Sequence, residues 1–276
     1  MISCINLWSF PEAYGLEQCL DTASAAGFAA VEPNFFEHGV LSMDSPDGEW
    51  LQARRMAQDK GLALSSLSTG VYWAASPTSN DAATRARALE LCKRQLEAAA
   101  LLGVDTILVV PGSVKGADSG DAVGYDAAYE RALDFIRRAE PHARSCGVAI
   151  GVENVWNKFL LSPLEMRAFV DAAGSPFVRA YFDVGNVLLY GYPEQWISIL
   201  GSRIARVHVK DFRCAVGTLD GFCDLLAGDV NFPAVMAALR AVGYDGYITA
   251  EMGGYRYGGD QIVYNTSAAM GRILKM

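Results

Sequence analysis

A chain of 276 residues with half its residues apolar and a fifth charged has the makeup of a soluble globular protein with a large core. Its formal charge of −8 excludes a nucleic-acid surface built on a basic stripe, and no apolar run reaches the roughly 18 residues that cross a bilayer. Six scattered cysteines without a C-x-x-C pair exclude a disulfide frame and a cysteine-based zinc site. The opening "MISCINLWSF" lacks the pattern of a secretory leader, so a cytoplasmic location is expected.

Taken in chain order, short apolar runs alternate with longer amphipathic ones. Strands are predicted at 2–7, 29–33, 62–68, 106–110, 148–153, 180–183, 204–209 and 247–251. They are rich in Val and Ile and nearly continuous in apolar character, as parallel strands covered on both faces are. Between them, Leu89, Cys92, Leu96 and Ala99 form one helical face, and Leu133, Ile136, Ala139 and Ala143 form another. "SPLE" at 162–165 starts a helix with Ser as N-cap, Pro in the first turn and Glu three residues on. Val235, Leu239 and Val242 make a further face, and Gly61, Gly103, Gly147 and Gly243 stand where helices stop.

Eight strand–helix units without a linker predict an α/β fold, a (β/α)8 TIM barrel, as a single domain over 1–276. A doubly wound open sheet is the alternative, but no glycine-rich dinucleotide loop follows the first strand.

Such barrels hold their active sites at the C-terminal strand ends. Strand five ends in Glu153, strand six in Asp183, strand seven carries His208, and strand eight ends in Glu251. Three carboxylates packed at one level repel unless a cation compensates. Three oxygens and an imidazole suit one divalent metal ion, Mn²⁺ first, with Mg²⁺, Co²⁺ or Zn²⁺ as alternatives. The other two histidines, His38 and His142, fall in a loop and on a helix surface and are not expected to be ligands.

"GVENVWNKF", "YFDVGN", "VHVKDF" and "GYDGYITAEM", in this order, resemble the xylose-isomerase-like sugar-phosphate isomerase/epimerase superfamily over essentially the whole chain. The Asp-x-Gly-Asn and His-x-Lys-Asp forms are similar to the branch of L-xylulose-5-phosphate 3-epimerases and hexulose-phosphate isomerase-like proteins. The resemblance implies that Glu153, Asp183, His208 and Glu251 are the metal quartet and that Glu153 and Glu251 are the acid–base pair. Asn186 stands where free-ketohexose epimerases place a substrate-binding histidine, and Arg213 approximates their substrate-contacting arginine at a different offset. Endonuclease IV shares the superfamily but uses several histidines on three zinc ions, and an acidic chain with three histidines departs from it.

The expected chemistry is proton transfer through an enediolate: epimerisation or isomerisation of a ketose or ketose phosphate. Loss of a hydroxyl, as in inosose dehydratases, is an alternative outcome on the same site, and a non-catalytic sugar-binding barrel is another. Further candidates for substrate contact are Glu32 at the end of strand two, Trp156 and Lys158 after strand five, and Trp8 and Trp73 on an opposite wall. Lys210 is expected to neutralise Asp211 or orient Asp183. With Arg213 and Arg256 it also offers cations for a phosphate. The expected partner is a small sugar or sugar phosphate; association into a homo-oligomer is left open.

Overall fold

The computed structural model describes residues 1–115 and 122–276. Its eight-stranded parallel sheet comprises β1 (Ile2–Asn6), β2 (Ala30–Glu32), β3 (Ala63–Leu64), β4 (Thr106–Val109), β5 (Ala149–Glu153), β6 (Val178–Asp183), β7 (Ile204–Val209) and β8 (Tyr247–Ala250). Each strand pairs with the next in sequence from β1 to β3 and from β4 to β8, and β8 returns to β1. Around the sheet lie α1 (Leu16–Ala25), α2 (Asp47–Asp59), α3 (Ala82–Leu102), α4 (Tyr125–Cys146), α5 (Pro163–Ala172), α6 (Pro193–Leu200), α7 (Phe232–Ala241) and α8 (Gln261–Ile273). No helix among the described residues is long and apolar enough to cross a membrane.

The (β/α)8 barrel closes between β3 and β4, where the ladder narrows to one bridge, Leu67 to Ile107. The Leu67 amide donates to the Thr106 carbonyl at 3.1 Å, and Leu108 donates back to Leu67 at 3.0 Å. Gln95 of α3 is fully buried and seals this seam. Its amide donates to the carbonyls of Leu67 and Leu108, at 3.0 and 3.1 Å.

The strand predicted over 62–68 is shorter than expected, and Ser68–Thr69 pairs instead with Asn34–Phe35 in a separate two-stranded ladder. The physical reason is the serine run. Ser65, Ser66 and Ser68 direct their hydroxyls to buried polar partners, which competes with a regular ladder.

The helices start and stop as their residues dictate. Asp81 accepts from the amides of Ala83 and Thr84 ahead of α3, and Ser162 accepts from Glu165 with Pro163 in the first turn of α5. Glu165 reaches one residue further back than a capping box requires, to the Leu161 amide at 2.9 Å. Gly103 and Gly147 end α3 and α4 at φ of 76° and 68°. The faces built on Leu89, Cys92, Leu96 and Ala99 and on Ile136, Ala139 and Ala143 are buried, and α6 covers β6 through Trp196 stacked on Phe182. His142 lies on α4 beside Glu97, and His38 lies in a loop beside Asp44.

Candidate metal centre and substrate cavity

The sheet register sets the centre. Asp183 pairs with His208 across β6 and β7, and His208 pairs with Thr249 across β7 and β8. Glu153 ends β5 opposite Tyr181, and Glu251 follows β8. One ligand atom from each of Glu153, Asp183, His208 and Glu251 lies within 4.8 Å of the others. Asp183 and His208 are fully buried, and Glu153 is 5% exposed.

His208 shows why the strand accepts an imidazole. Nε2 lies 2.6 Å from Glu32 Oε2 and 3.2 Å from the Tyr181 hydroxyl. Nδ1 points the other way, 2.8 Å from Glu251 Oε2 and 3.6 Å from Glu153 Oε1, but makes no hydrogen bond of good geometry. A buried nitrogen left without a partner is costly unless something binds it. With Nε2 held by a carboxylate, Nδ1 is the atom turned toward the other three groups, and this donor set fits a divalent ion.

Glu32 is therefore placed differently from a substrate contact. It is fully buried and takes hydrogen bonds from Asn6 at 2.6 Å, from Ser66 at 2.6 Å and from the Tyr181 hydroxyl, besides facing His208. Burial raises the pKa of this carboxyl, but the facing His208 and the hydrogen bonds outweigh it and hold Glu32 below the usual range. His208 is in turn held well above its ordinary value, because the charge of Glu32 and the nearby carboxylates of Glu153 and Glu251 overcome the opposing effect of burial.

Lys210 points into the same cluster. Nζ is 2.6 Å from Asp183 Oδ2 and 2.9 Å from Glu251 Oε2. Of the two roles expected for it, orienting Asp183 is the one its position serves. Asp211 instead accepts the backbone amides of Phe212, Gly228 and Val230 and folds the loop after β7. Gly185 makes the Lys210 position accessible, since a Cβ there would stand 2.7 Å from the Lys210 Cβ. Burial pushes the Glu153 carboxyl up to about 7. For Glu251 burial acts in the same direction, but Lys210 and His208 more than reverse it and hold that carboxyl far below its usual value.

Asn154, which the sequence did not single out as a fixing element, clamps Asp183 from both sides. Its amide donates to the Asp183 carbonyl at 2.8 Å and its oxygen accepts the Asp183 amide at 2.9 Å. The Asn186 backbone amide donates to Asp183 Oδ1 at 2.8 Å, and its side chain donates to the Asn154 carbonyl at 3.0 Å. Tyr181, Asn6 and Ser66 were likewise missed. Their only sequence trace is a polar group inside an otherwise apolar strand.

Above the cluster opens a cavity of about 580 Å³. Glu153, Glu251, Lys210, Asn186 and Trp156 line it, as do Trp8 and Trp73. Trp156 donates its indole hydrogen to the Asn186 carbonyl at 2.9 Å and packs edge-on against Phe212. The structure does not bring three expected contacts to this wall. Lys158 is exposed at a left-handed turn (φ 58°), Arg213 is exposed and donates to the Ala227 carbonyl at 3.2 Å, and Arg256 is exposed beyond Tyr255.

Among known proteins, L-ribulose-5-phosphate 3-epimerase UlaE of Salmonella paratyphi C is 23% identical over 236 residues, covering 79% of this chain and 78% of that one. A crystal structure of D-psicose 3-epimerase in the presence of D-fructose superposes with a TM-score of 0.81 at 20% identity, covering all of both chains. The structure of 3-keto-D-glucoside 4-epimerase YcjR from E. coli gives 0.78 at 18% identity over 99% of each chain. These likenesses establish the fold. The model of one family matches residues 20–272, nearly the whole barrel. The chain belongs to the xylose isomerase-like TIM barrel family.

Proposed function

We propose that this protein is a metal-dependent epimerase or isomerase of ketose-type sugars, working by proton transfer through an enediolate. The observation that carries this reading is a division within the cluster: Glu153 and Glu251 line the cavity, whereas Asp183 and His208 lie buried beneath it. The buried pair suits a purely ligating role. The two that face the cavity can both hold a metal and meet a substrate.

A divalent ion held by Glu153, Asp183, His208 and Glu251, Mn²⁺ by the mixed oxygen–nitrogen donor set, would act as a Lewis acid on the carbonyl and neighbouring hydroxyl of the sugar. The carboxylates then divide the proton work. One removes the proton from the carbon bearing that hydroxyl, and the other returns a proton from the opposite face, inverting the centre. Their environments already differ, with Glu153 raised by burial and Glu251 kept ionised by Lys210 and His208. Lys210 keeps Asp183 and Glu251 in place. Glu32 is assigned as the positioning residue of His208, and Asn186 and Trp156 as parts of the sugar-binding wall.

The names of relatives support the same class, since UlaE and the structural neighbours are sugar epimerases. The test is solvent-deuterium uptake into ketoses by the Mn²⁺-loaded protein. Glu153→Gln and Glu251→Gln are each expected to lower turnover by about 10²–10⁴-fold, the usual contribution of a general acid or base. Near-normal turnover in both variants would overturn the pair, and accumulation of a dehydrated product would reassign the reaction to a lyase.

A further inference from the structure

Resting on the epimerase reading above, we propose that the sugar processed here carries a second uncharged ring: a ketose glycosylated away from the reacting carbon, not a bare ketose or its phosphate ester. Three features of the cavity point this way, namely its size, its outer wall and its charge.

The cavity of about 580 Å³ is larger than the space a single hexose, with its roughly a dozen non-hydrogen atoms, fills. Bonded atoms pack more closely than waters, so a single hexose leaves a large part of the space wet. A second ring fills it.

The polar groups that would handle the carbonyl end lie at the floor, on the strand ends. The outer wall is aromatic and comes from separate loops. Trp8 and Trp73 both flank Gly70, and Trp156 and Phe222 form a second pair, ring centroids 5.3 Å apart, backed by the fully buried Phe212. Trp73 remains 37% exposed and Leu219, also on the lining, 68%. Aromatic faces with free surface suit the C–H faces of a neutral pyranose, and burying them against it is favourable.

The charge of the wall opposes a phosphate. Lys210 is the one cation on the lining among the described residues, and Asp183 and Glu251 already hold it. Apart from Glu153 and Glu251 of the metal centre, the remaining acidic side chain there is Asp224, so a dianion on the outer wall would meet a carboxylate without a free cation to offset it. Asp224 itself accepts from the Tyr255 hydroxyl and fixes that ring at the rim.

Three probes sharing one reacting end separate these cases: D-fructose, D-fructose 6-phosphate and isomaltulose, which is fructose bearing a glucosyl ring on O6. With the Mn²⁺-loaded full chain, deuterium uptake next to the carbonyl is expected to have at least tenfold higher kcat/KM for isomaltulose than for fructose. The phosphate is expected to be the poorest of the three. Trp73→Ala should reduce the isomaltulose-to-fructose ratio by at least fivefold. Exchange in which fructose or its phosphate equals or exceeds isomaltulose overturns the second ring while leaving the epimerase reading intact. Preference for isomaltulose with an unchanged ratio in Trp73→Ala overturns the aromatic platform as its cause. Absence of exchange in all three overturns the reaction itself, and this proposal with it.

Discussion

The floor of the cavity and its outer wall are built by opposite means. On the floor, every ionisable group is fixed by the barrel ladder or by a neighbour bonded to it: Asp183 faces His208, and Asn6 faces Glu32. Glu32, Asp183 and His208 are fully buried, and of their polar atoms His208 Nδ1 is left without a hydrogen bond. The wall is carried by loops after β1 and after β3 to β8, with aromatic surface left open. The contrast separates two tasks. The proposed chemistry sits where backbone pairing sets distances, and the proposed substrate choice sits where residues can change without disturbing the ladder.

The strongest way to break the floor is His208→Ala. It removes the candidate ligand at the centre and leaves Glu32 buried without its charged partner, which is expected to cost about 3–5 kcal/mol of stability. Thermal unfolding should register that loss, and metal content of the purified variant should fall sharply. Glu32→Gln is a milder test of the same floor, since it keeps the shape and removes the charge facing Nε2. Metal affinity by titration calorimetry is expected to fall about 10–100-fold, as for other partners of ligating histidines. An unchanged affinity would return Glu32 to a purely structural role.

The centre should also respond to pH. In the metal-free protein the Glu153 carboxyl is raised to about 7 and His208 is held well above its ordinary value, so at neutral pH His208 carries a proton and Glu153 is partly protonated. Metal must displace those protons. Apparent affinity should therefore fall as pH drops below about 7 and keep rising above it, with proton release detectable in buffers of different ionisation enthalpy. The smallest effect is expected from the periphery. Arg213→Ala removes an exposed side chain that does not line the cavity, and stability should stay within about 0.5 kcal/mol. A large change in substrate turnover in that variant would move the wall outward to include it.

The residues that ended strands were the legible part of this molecule. Glu153, Asp183, His208 and Glu251 stand out because each interrupts an apolar run at the same level, and the structure gathers all four. Glu32 stands out for the same reason, yet its partner is on the opposite side of the barrel, 176 residues away, so its role is invisible without the closed ring. The placements of Arg213 and Arg256 were illegible for a different reason. Loop residues have no periodicity, and their direction depends on turns such as the one Asp211 organises. The break in the third strand was written in its serines, but only as competition for hydrogen bonds whose partners, Glu32 and Asn6, lie on other strands.

The narrow seam between β3 and β4 carries a consequence for how the barrel breathes. Everywhere else a strand is held by two or more successive pairs, but here one bridge and the amide of Gln95 hold the ring closed, with the Tyr72 hydroxyl donating to Gln95 at 2.8 Å. Openings of a folded protein follow its least cooperative boundary. Amide protons of Leu67 and Leu108 are thus placed to exchange with solvent through a local parting of the ring, while those between β6 and β7 wait for global unfolding. The four candidate ligands lie at the ends of β5 to β8, none of which borders that seam, so the barrel can part there with those strands still joined.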